Sequence, residues 1–129
     1  NPLSGSLPPD WSGMSALGYL FASGAGMEGL LPSEWSSLTS LRALDLSSNA
    51  LRRPLPPAWS SLSLLEQLDV GSNALTGAFP LCEWQALAQL QYLDISGNQL
   101  TGTNPGNAAM SANPSLIDVF TKCNNFSEV

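Results

Sequence analysis

Apolar and polar residues alternate in a segment that recurs five times along the chain. The segment follows the pattern L-x-x-L-x-L-x-x-N-x-L, and its three clearest copies begin at Leu41, Leu65 and Leu90. Weaker copies begin at Leu17 and Leu116. The Leu-x-Leu part has a period of two residues, which predicts a short β-strand with one buried face. The pattern therefore predicts one short strand in each of about five repeating units.

Two further series of residues keep the same spacing. The asparagine of the pattern occurs at Asn49, Asn73, Asn98 and Asn124. Tryptophans occur at Trp11, Trp35, Trp59 and Trp84, with gaps of 24, 24 and 25 residues, and Met110 stands 26 residues further on. A repeat of this length is the signature of stacked coils, each of which cannot bury its own apolar edge. We expect the repeated residues to pack between coils and the variable residues to face solvent or a partner.

The asparagines and tryptophans are both expected to be structural. Each asparagine follows a strand where the chain must turn, so we expect its amide to lie inside and to hydrogen-bond backbone groups left unpaired by the bend. The tryptophans could form an aromatic ladder that stacks sugars. A tryptophan at one fixed position in every coil is better explained by packing along the outer arc, with its N–H on a backbone carbonyl.

The whole pattern resembles the leucine-rich repeat family over nearly the entire chain. The extensions LTGAFP (residues 75–80) and LSGSLP (residues 3–8) are similar to the plant-type subclass, in which this segment forms a second short strand. One repeat departs from this extension, because Arg52, Arg53 and Pro54 stand where Thr-Gly-x is expected. Whether that repeat forms the second strand is left open by the sequence. The stretches WSSLTSL and WSSLSLL also resemble kinetoplastid surface antigens and green-algal repeat proteins.

The resemblance implies an α/β-type solenoid, a curved stack of about five coils with a parallel concave β-sheet and an irregular or 3-10 convex side. We expect one array over residues 1–129, with repeats at about 7–30, 31–54, 55–78, 79–103 and 104–129, and residues 1–6 ending a preceding repeat. Neither end carries a full polar cap. We therefore expect a fragment of a longer chain, with neighbouring repeats or a domain at one or both ends.

The variable strand positions are the candidate binding site. Across the coils they form three rows on the concave face, namely Gly18, Arg42, Glu66, Gln91, Ile117, then Tyr19, Ala43, Gln67, Tyr92, Asp118, then Phe21, Asp45, Asp69, Asp94, Phe120. From these rows we predict ten partner-binding residues, Tyr19, Phe21, Arg42, Asp45, Glu66, Asp69, Tyr92, Asp94, Asp118 and Phe120. Adjacent strands lie about 4.8 Å apart, so the three central aspartates would form a ladder of like charges.

Three interpretations of the aspartate ladder are open. In the first, aspartate is simply the usual residue at this position of the plant-type repeat, and its carboxylates are hydrated or hydrogen-bonded to nearby serines. Alternatively it is the centre of a surface for a basic or hydroxyl-rich partner, with the neighbouring aromatic residues as anchors. A retaining glycosidase pair has a similar spacing. That third interpretation is disfavoured because a periodic ladder gives the spacing automatically, and an open surface does not separate two pKa values.

Composition narrows the function further. Ten acidic and four basic residues give a net charge of −6, which argues against nucleic acid as a partner. The chain has no histidine, the commonest general base and metal ligand, and we predict no enzyme activity, cofactor or metal. No D-x-D-x-D-G calcium loop is present, and no apolar stretch approaches transmembrane length.

Two cysteines and one sequon remain. Cys82 and Cys123 fall on different sides of a coil, which favours free thiols or pairing outside this segment. Asn125 begins the sequon Asn-Phe-Ser and is a glycosylation candidate in a secreted chain.

Two functional hypotheses follow. The first is a non-catalytic recognition module, extracellular or at the cell surface, that binds a protein, peptide or glycan on the concave face. The alternative is a structural spacer or packing element of a surface coat, wall or filament, with contacts through the coil ends and the outer arc.

Overall fold

A computed structural model describes residues 5–107, 115, 116 and 118–127 of the chain. Its strands are β1 (Gly5–Ser6), β2 (Tyr19–Phe21), β3 (Met27–Leu30), β4 (Ala43–Asp45), β5 (Ala50–Arg53), β6 (Gln67–Asp69), β7 (Ala74–Leu75), β8 (Tyr92–Asp94) and β9 (Asp118–Phe120). Its 3-10 helices are Pro9–Gly13, Ser33–Ser37, Pro57–Ser61 and Pro105–Asn107, and a single α-helical turn, α1, spans Leu81–Trp84. Each of the first three coils passes from a concave strand through a turn and a second strand to a helical segment, and in the fourth coil isolated bridges at Thr101 and Thr103 replace the second strand.

The concave sheet has five parallel strands in the order β2-β4-β6-β8-β9. Its register pairs each residue with its sequence equivalent in the next coil, as in Leu20 with Leu44 and Leu44 with Leu68. The register absorbs the longer later repeats, because Leu68 pairs with Leu93 and Leu93 with Val119. The central residues of these strands point into the stack, as period-two alternation requires. The expected curved leucine-rich repeat solenoid is confirmed.

A second parallel sheet has the order β1-β3-β5-β7 and a different register. Met27 pairs with Gly5, 22 residues earlier, and Ala74 pairs with Arg52 at the same separation. The second sheet is therefore displaced by two residues relative to the 24-residue spacing of the concave sheet, where Tyr19 pairs with Ala43. As a result, neighbours across this sheet are not equivalent positions of the repeat.

Two turns in each coil use a left-handed backbone. The first turn, after the concave strand, has φ between 56° and 66° at Gly24, Ser48, Ser72, Gly97 and Cys123. The second turn has φ between 73° and 113° at Gly5, Gly29, Arg53, Gly77 and Gly102. The second strand forms in every coil from the first to the third, including the repeat that carries Arg53. The question left open by the sequence at that repeat is thereby answered.

Tryptophan side chains run through the outer side of the stack as a column, defined by Trp11, Trp35, Trp59 and Trp84. Successive rings lie 6.0 to 6.4 Å apart at interplanar angles of 5° to 7°. Trp35, Trp59 and Trp84 are fully buried, and Trp11 in the first coil is half-buried. The indole N–H of Trp59 donates to the carbonyl of Pro32 in the preceding coil at 2.8 Å. Met110, at the next position of the column by sequence, lies outside the described residues.

The α-helical turn α1 takes up the extra residue of the fourth repeat. In the third coil the backbone N–H of Trp59 donates to Pro56, three residues earlier, as a 3-10 helix requires. In the fourth coil Trp84 donates to Pro80, four residues earlier. The wider turn keeps Trp84 in the column despite the insertion.

Asparagine side chains join successive coils on the opposite side. The amide of Asn73 donates to the carbonyls of Leu46 and Val70, each at 3.0 Å, and its Oδ1 accepts the backbone N–H of Leu51 at 3.0 Å. Asn49, Asn98 and Asn124 make equivalent bonds in their own coils. These bonds satisfy backbone groups that the turn removes from both sheets.

Candidate functional site

The concave sheet aligns the candidate residues in rows. One row holds, side by side, Phe21, Asp45, Asp69, Asp94 and Phe120. We call its three central members the aspartate strip. The adjoining row holds Tyr19, Ala43, Gln67, Tyr92 and Asp118. An acidic centre thus lies between aromatic residues at both ends of the sheet.

The flanking aromatic rings are largely open to solvent. Tyr19 and Phe21 are 62% and 64% exposed, and Phe120 is 45% exposed. Tyr92 is half-buried, and its ring centre lies 5.5 Å from that of Phe120 at an interplanar angle of 48°. Exposed aromatic residues of this size are typical anchors of binding surfaces.

In each carboxylate of the aspartate strip, Oδ1 accepts the hydrogen bonds that the chain provides. Oδ1 of Asp45 accepts the backbone N–H of Ser47 at 2.9 Å and its hydroxyl at 2.6 Å, and Asp94 makes the same two bonds with Ser96. Among the described residues, the Oδ2 atoms of the strip have no hydrogen-bond partner. These oxygens are therefore oriented by the chain and able to accept a hydrogen bond from a partner.

Asp69 has weaker support than its two neighbours because Gly71 replaces the serine. Its Oδ1 accepts only the backbone N–H of Gly71 at 2.9 Å. A Cβ at Gly71 would lie 3.0 Å from Oδ1 of Asp94 and 3.2 Å from Oδ1 of Asp69, so both carboxylates close over this glycine. A side chain at this position would require the two carboxylates to move by a few tenths of an ångström.

The pKa of Asp69 reflects this environment. Partial burial raises the pKa of Asp69 above its usual value, the Gly71 N–H opposes the shift, and the neighbouring charges of Asp94 and Asp45 add to it. Desolvation and the same carboxylates, Asp69 first, also raise the pKa of Tyr92. A cation placed beside Asp69 would relieve this repulsion.

A shallow pocket of about 230 Å³ lies over the middle strands and is lined in part by Phe21, Asp45, Asp69 and Tyr92. Ala43 also borders it but is itself buried, with 4% exposure, although its row was expected to be exposed. The expectation was wrong at Ala43 because its short side chain lies below its longer neighbours in the row. The pocket occupies the space that a larger side chain would fill.

The remaining concave row, to which Arg42 and Glu66 belong, contains an ion pair. Arg42 donates to Glu66 at 2.9 Å, and their side chains are 45% and 34% exposed. A solvent-exposed pair of this kind adds little to stability. It does neutralise two charges of the concave face and leaves the aspartate strip as its acidic centre.

Other predicted residues lie away from this centre. Asp118 is exposed at the last strand, and Ile117 lies outside the described residues. Asn125 is exposed, and the hydroxyl of its sequon serine, Ser127, donates to the carbonyl of Gly102 at 3.0 Å. Cys82 and Cys123 are exposed free thiols.

Over residues 5–107, 115, 116 and 118–127, no group of three or more His, Cys, Asp or Glu side chains could hold a metal ion. No helix in this part of the chain is long and apolar enough to cross a membrane.

Sequence reasoning missed two features of this face. The Arg42 and Glu66 pair follows from their adjacent positions in one row, and opposite charges at that spacing could have indicated it. The special place of Asp69 follows from the change of serine to glycine between Ser47, Gly71 and Ser96, which is visible in the sequence. The effect of this change depends on how closely the Asp94 carboxylate of the next coil approaches Gly71, and the sequence does not show that distance.

Comparisons with known proteins agree with this architecture. The Leucine Rich Repeat family profile matches residues 40–62 and 89–109. No curated protein sequence matches the chain significantly.

Solved structures match nearly the whole chain. The ectodomain of the Arabidopsis thaliana receptor kinase GASSHO1/SCHENGEN3, in complex with CASPARIAN STRIP INTEGRITY FACTOR 2, is 29% identical with a TM-score of 0.90 over 98% of this chain and 15% of that chain. The Arabidopsis receptor kinase HAESA, in complex with the peptide hormone IDA and the co-receptor SERK1, is 27% identical with a TM-score of 0.90 over 98% of this chain and 21% of that chain. A plant ice-binding protein is 30% identical with a TM-score of 0.87 over 96% of this chain and 39% of that chain.

The chain spans between 15% and 39% of the length of these three proteins. Their similarity therefore concerns a run of repeats within larger molecules. The sequence profile and the fold agree in identifying leucine-rich repeats in this chain, and plant receptor ectodomains are among its structural relatives.

Proposed function

We propose that the chain is a non-catalytic recognition module that binds a peptide or protein segment on its concave sheet. The observation that carries the proposal is the aspartate strip, with oriented but unpaired Oδ2 atoms, between exposed aromatic residues. Receptor ectodomains of the same fold that bind peptides support this function. By the same similarity we assign the chain to the outside of the cell or its surface.

The chemistry of the face defines the partner. Unpaired carboxylate oxygens accept hydrogen bonds from ammonium, guanidinium or hydroxyl groups, and charge-assisted bonds are the stronger ones. The rings of Phe21 and Phe120 would cover apolar side chains on either side of that contact. The expected ligand is an extended segment with a basic or hydroxyl-bearing centre and apolar flanks. A glycan is the less favoured ligand, since the strip requires charge neutralisation that hydroxyl groups alone provide poorly.

An array of immobilised 12-residue peptides, with systematically varied charge and apolar content, tests this proposal. Wild-type protein should bind peptides with Lys or Arg between apolar residues. Replacing Asp45, Asp69 and Asp94 together by Asn should weaken that binding at least about tenfold, the effect of losing one charge-assisted bond. Phe120→Ala should weaken it as well, without a change in thermal unfolding.

Matched variants separate the concave face from general effects of charge and hydrophobicity. Asp10→Asn and Glu34→Gln remove exposed acidic charges from 3-10 helices, and Met14→Ala removes an exposed apolar side chain outside the concave sheet. None of them should alter peptide binding. The proposal fails if these controls lose binding as much as the concave variants do. A protein that binds no peptide but assembles through its coil ends or outer arc would instead be the structural spacer.

A further inference from the structure

Arg53 breaks the regularity of the second turn. Four of the five residues at this position are glycines with positive φ, at Gly5, Gly29, Gly77 and Gly102. Arg53 adopts the same left-handed backbone with φ of 73°. Residues with a side chain adopt this backbone at a cost, and long side chains are uncommon there.

The equivalent position is crowded in other coils. A Cβ at Gly29, Gly77 or Gly102 would lie 3.2 to 3.3 Å from the Cβ of the residue that follows this position in the preceding coil. By its place in the repeat, Leu30 is the corresponding residue for Arg53. Glycine at position 53 would avoid the backbone strain.

Nothing within the described chain compensates for this cost. Arg53 is exposed, and its guanidinium has no hydrogen bond or ion pair with any described residue. Strain at a position that the rest of the molecule does not require is a reason to look for a function.

The surroundings of Arg53 form a surface of definite character. Arg52 is exposed one residue earlier and, in the displaced register of the second sheet, lies opposite Leu30. Leu30 is 54% exposed. We call these three residues, Leu30, Arg52 and Arg53, the basic patch. Shallow depressions of about 450 Å³ beside Leu30 and about 670 Å³ beside Arg52 adjoin it.

The charge of the basic patch contrasts with that of the molecule. The chain has four basic residues and a net charge of −6, and two of the four are in this patch. Arg42 is paired with Glu66, which leaves Arg52 and Arg53 as the adjacent free guanidinium groups of the described chain. Guanidinium groups bind carboxylates through two parallel hydrogen bonds, and an acidic ligand would be repelled by most other surfaces of this protein.

We propose that the basic patch docks an acidic segment of a partner protein, whose carboxylates pair with Arg52 and Arg53 while an apolar side chain covers Leu30. The exposed leucine favours a protein segment over a polyanionic polysaccharide, which has no apolar group of that size. Glu28 borders the depression beside Arg52 and repels carboxylates there, so the acidic end of the segment lies toward Arg53. This surface is on the second sheet and is independent of the concave site proposed above.

Differential peptide selection tests the inference. A phage-displayed library of random 12-residue peptides is selected on the wild-type chain and depleted on the variant Arg52→Gln/Arg53→Gly. The enriched peptides should carry Asp or Glu beside an apolar residue. A synthetic copy of the most enriched peptide should bind Arg53→Gly about tenfold more weakly than wild type, and more weakly still at high salt.

Two controls make a loss of binding interpretable. Arg53→Gly restores the glycine found in the other coils, so it should unfold at the same or a higher temperature than wild type, and a loss of binding cannot reflect unfolding. Arg42→Gln removes the same charge from the concave face and should leave the affinity of the peptide unchanged. The variant with Asn at all three positions of the aspartate strip should also bind it normally, which separates this site from the concave one.

Three outcomes would overturn the inference. The first is a selection without acidic peptides, and the second is equal binding to wild type and Arg53→Gly. In the third, polygalacturonate binds the wild-type chain through Arg53 while no selected peptide does. That result would assign the patch to a polyanionic glycan.

Discussion

The tryptophan column and the aromatic residues of the concave face differ sharply in burial, although both recur at fixed positions of the repeat. Trp35, Trp59 and Trp84 are completely buried and stacked in parallel, whereas Tyr19 and Phe21 are more than 60% exposed. The column has the same residue in each of the first four coils. The aromatic residues of the concave face share their rows with other residue types, as Phe21 and Phe120 do with the three aspartates between them.

This difference shows what repetition means in a stacked fold. A position that meets its own equivalent in the next coil must keep its shape, because the contact is made by like against like. A position that faces solvent has no such requirement. Packing between coils therefore requires constancy, whereas a surface position is free to vary, as the row of Phe21 does, or to repeat, as in the aspartate strip.

Replacing a member of the column should have the largest effect. Trp59→Ala removes a fully buried ring between two others and should lower the free energy of unfolding by about 4 kcal/mol. Phe21→Ala on the concave face should change it by less than about 0.5 kcal/mol. Urea unfolding of both variants gives the comparison. Similar losses in the two would mean that burial does not distinguish the two aromatic series.

The asparagine bonds come next in size. Asn73→Ala leaves the N–H of Leu51 without its partner and should cost about 1 to 3 kcal/mol. The carbonyls of Leu46 and Val70 each lose one bond but still accept from Asn49 and Asn98. Amide hydrogen exchange should accelerate at Leu51. Ser72→Ala, which alters the adjacent exposed residue, serves as the control. An unchanged exchange rate at Leu51 would show that this bond is not needed to protect its N–H.

Arg53 is the position where a repeated glycine has changed, and restoring it should stabilise the fold. Arg53→Gly should raise the free energy of unfolding by about 1 kcal/mol, because glycine adopts positive φ without strain. A shift of that size raises Tm by a few degrees in a chain of this length. The reciprocal change Gly77→Arg should lower Tm. A lower Tm for Arg53→Gly would contradict the strain argument.

The smallest effect concerns the charge of Asp69. Because the pKa of Asp69 is raised in the folded state, the folded chain retains its proton over a pH range in which the unfolded chain has lost it. The ionised carboxylate thus begins to destabilise the fold as pH rises above the ordinary value of 3.8 and through the folded pKa. Asp69→Asn removes this penalty and should gain a few tenths of a kcal/mol relative to wild type at neutral pH.

The measurement is the difference in unfolding free energy between Asp69→Asn and wild type from pH 3 to pH 7, pH values chosen to span about the ordinary Asp pKa and neutrality. The advantage of Asp69→Asn should grow with pH. A pH-independent difference would mean that burial and the neighbouring carboxylates do not raise the pKa of Asp69 in the folded state.

Much of the fold could be predicted from the sequence because like residues stack on like. The spacing of the leucines was enough to align the concave rows, including Phe21, Asp45 and Phe120, through two insertions. The burial of Ala43 and the closure of two carboxylates over Gly71 depend on side-chain lengths in adjacent coils. The two-residue displacement of the second sheet depends on turn geometry. These features depend on contacts between coils, so a residue pattern within a single coil does not reveal them.

The bonds that the tryptophan and asparagine side chains make between coils all reach back to the preceding coil. The indole N–H groups of Trp35, Trp59 and Trp84 donate to proline carbonyls of that coil, and the ladder amides bond its backbone groups. A newly made coil emerging from the ribosome therefore finds the hydrogen-bond partners of these side chains in protein that has already been synthesised. Assembly can therefore follow translation coil by coil, because the indole N–H of each new coil is satisfied by a coil that already exists.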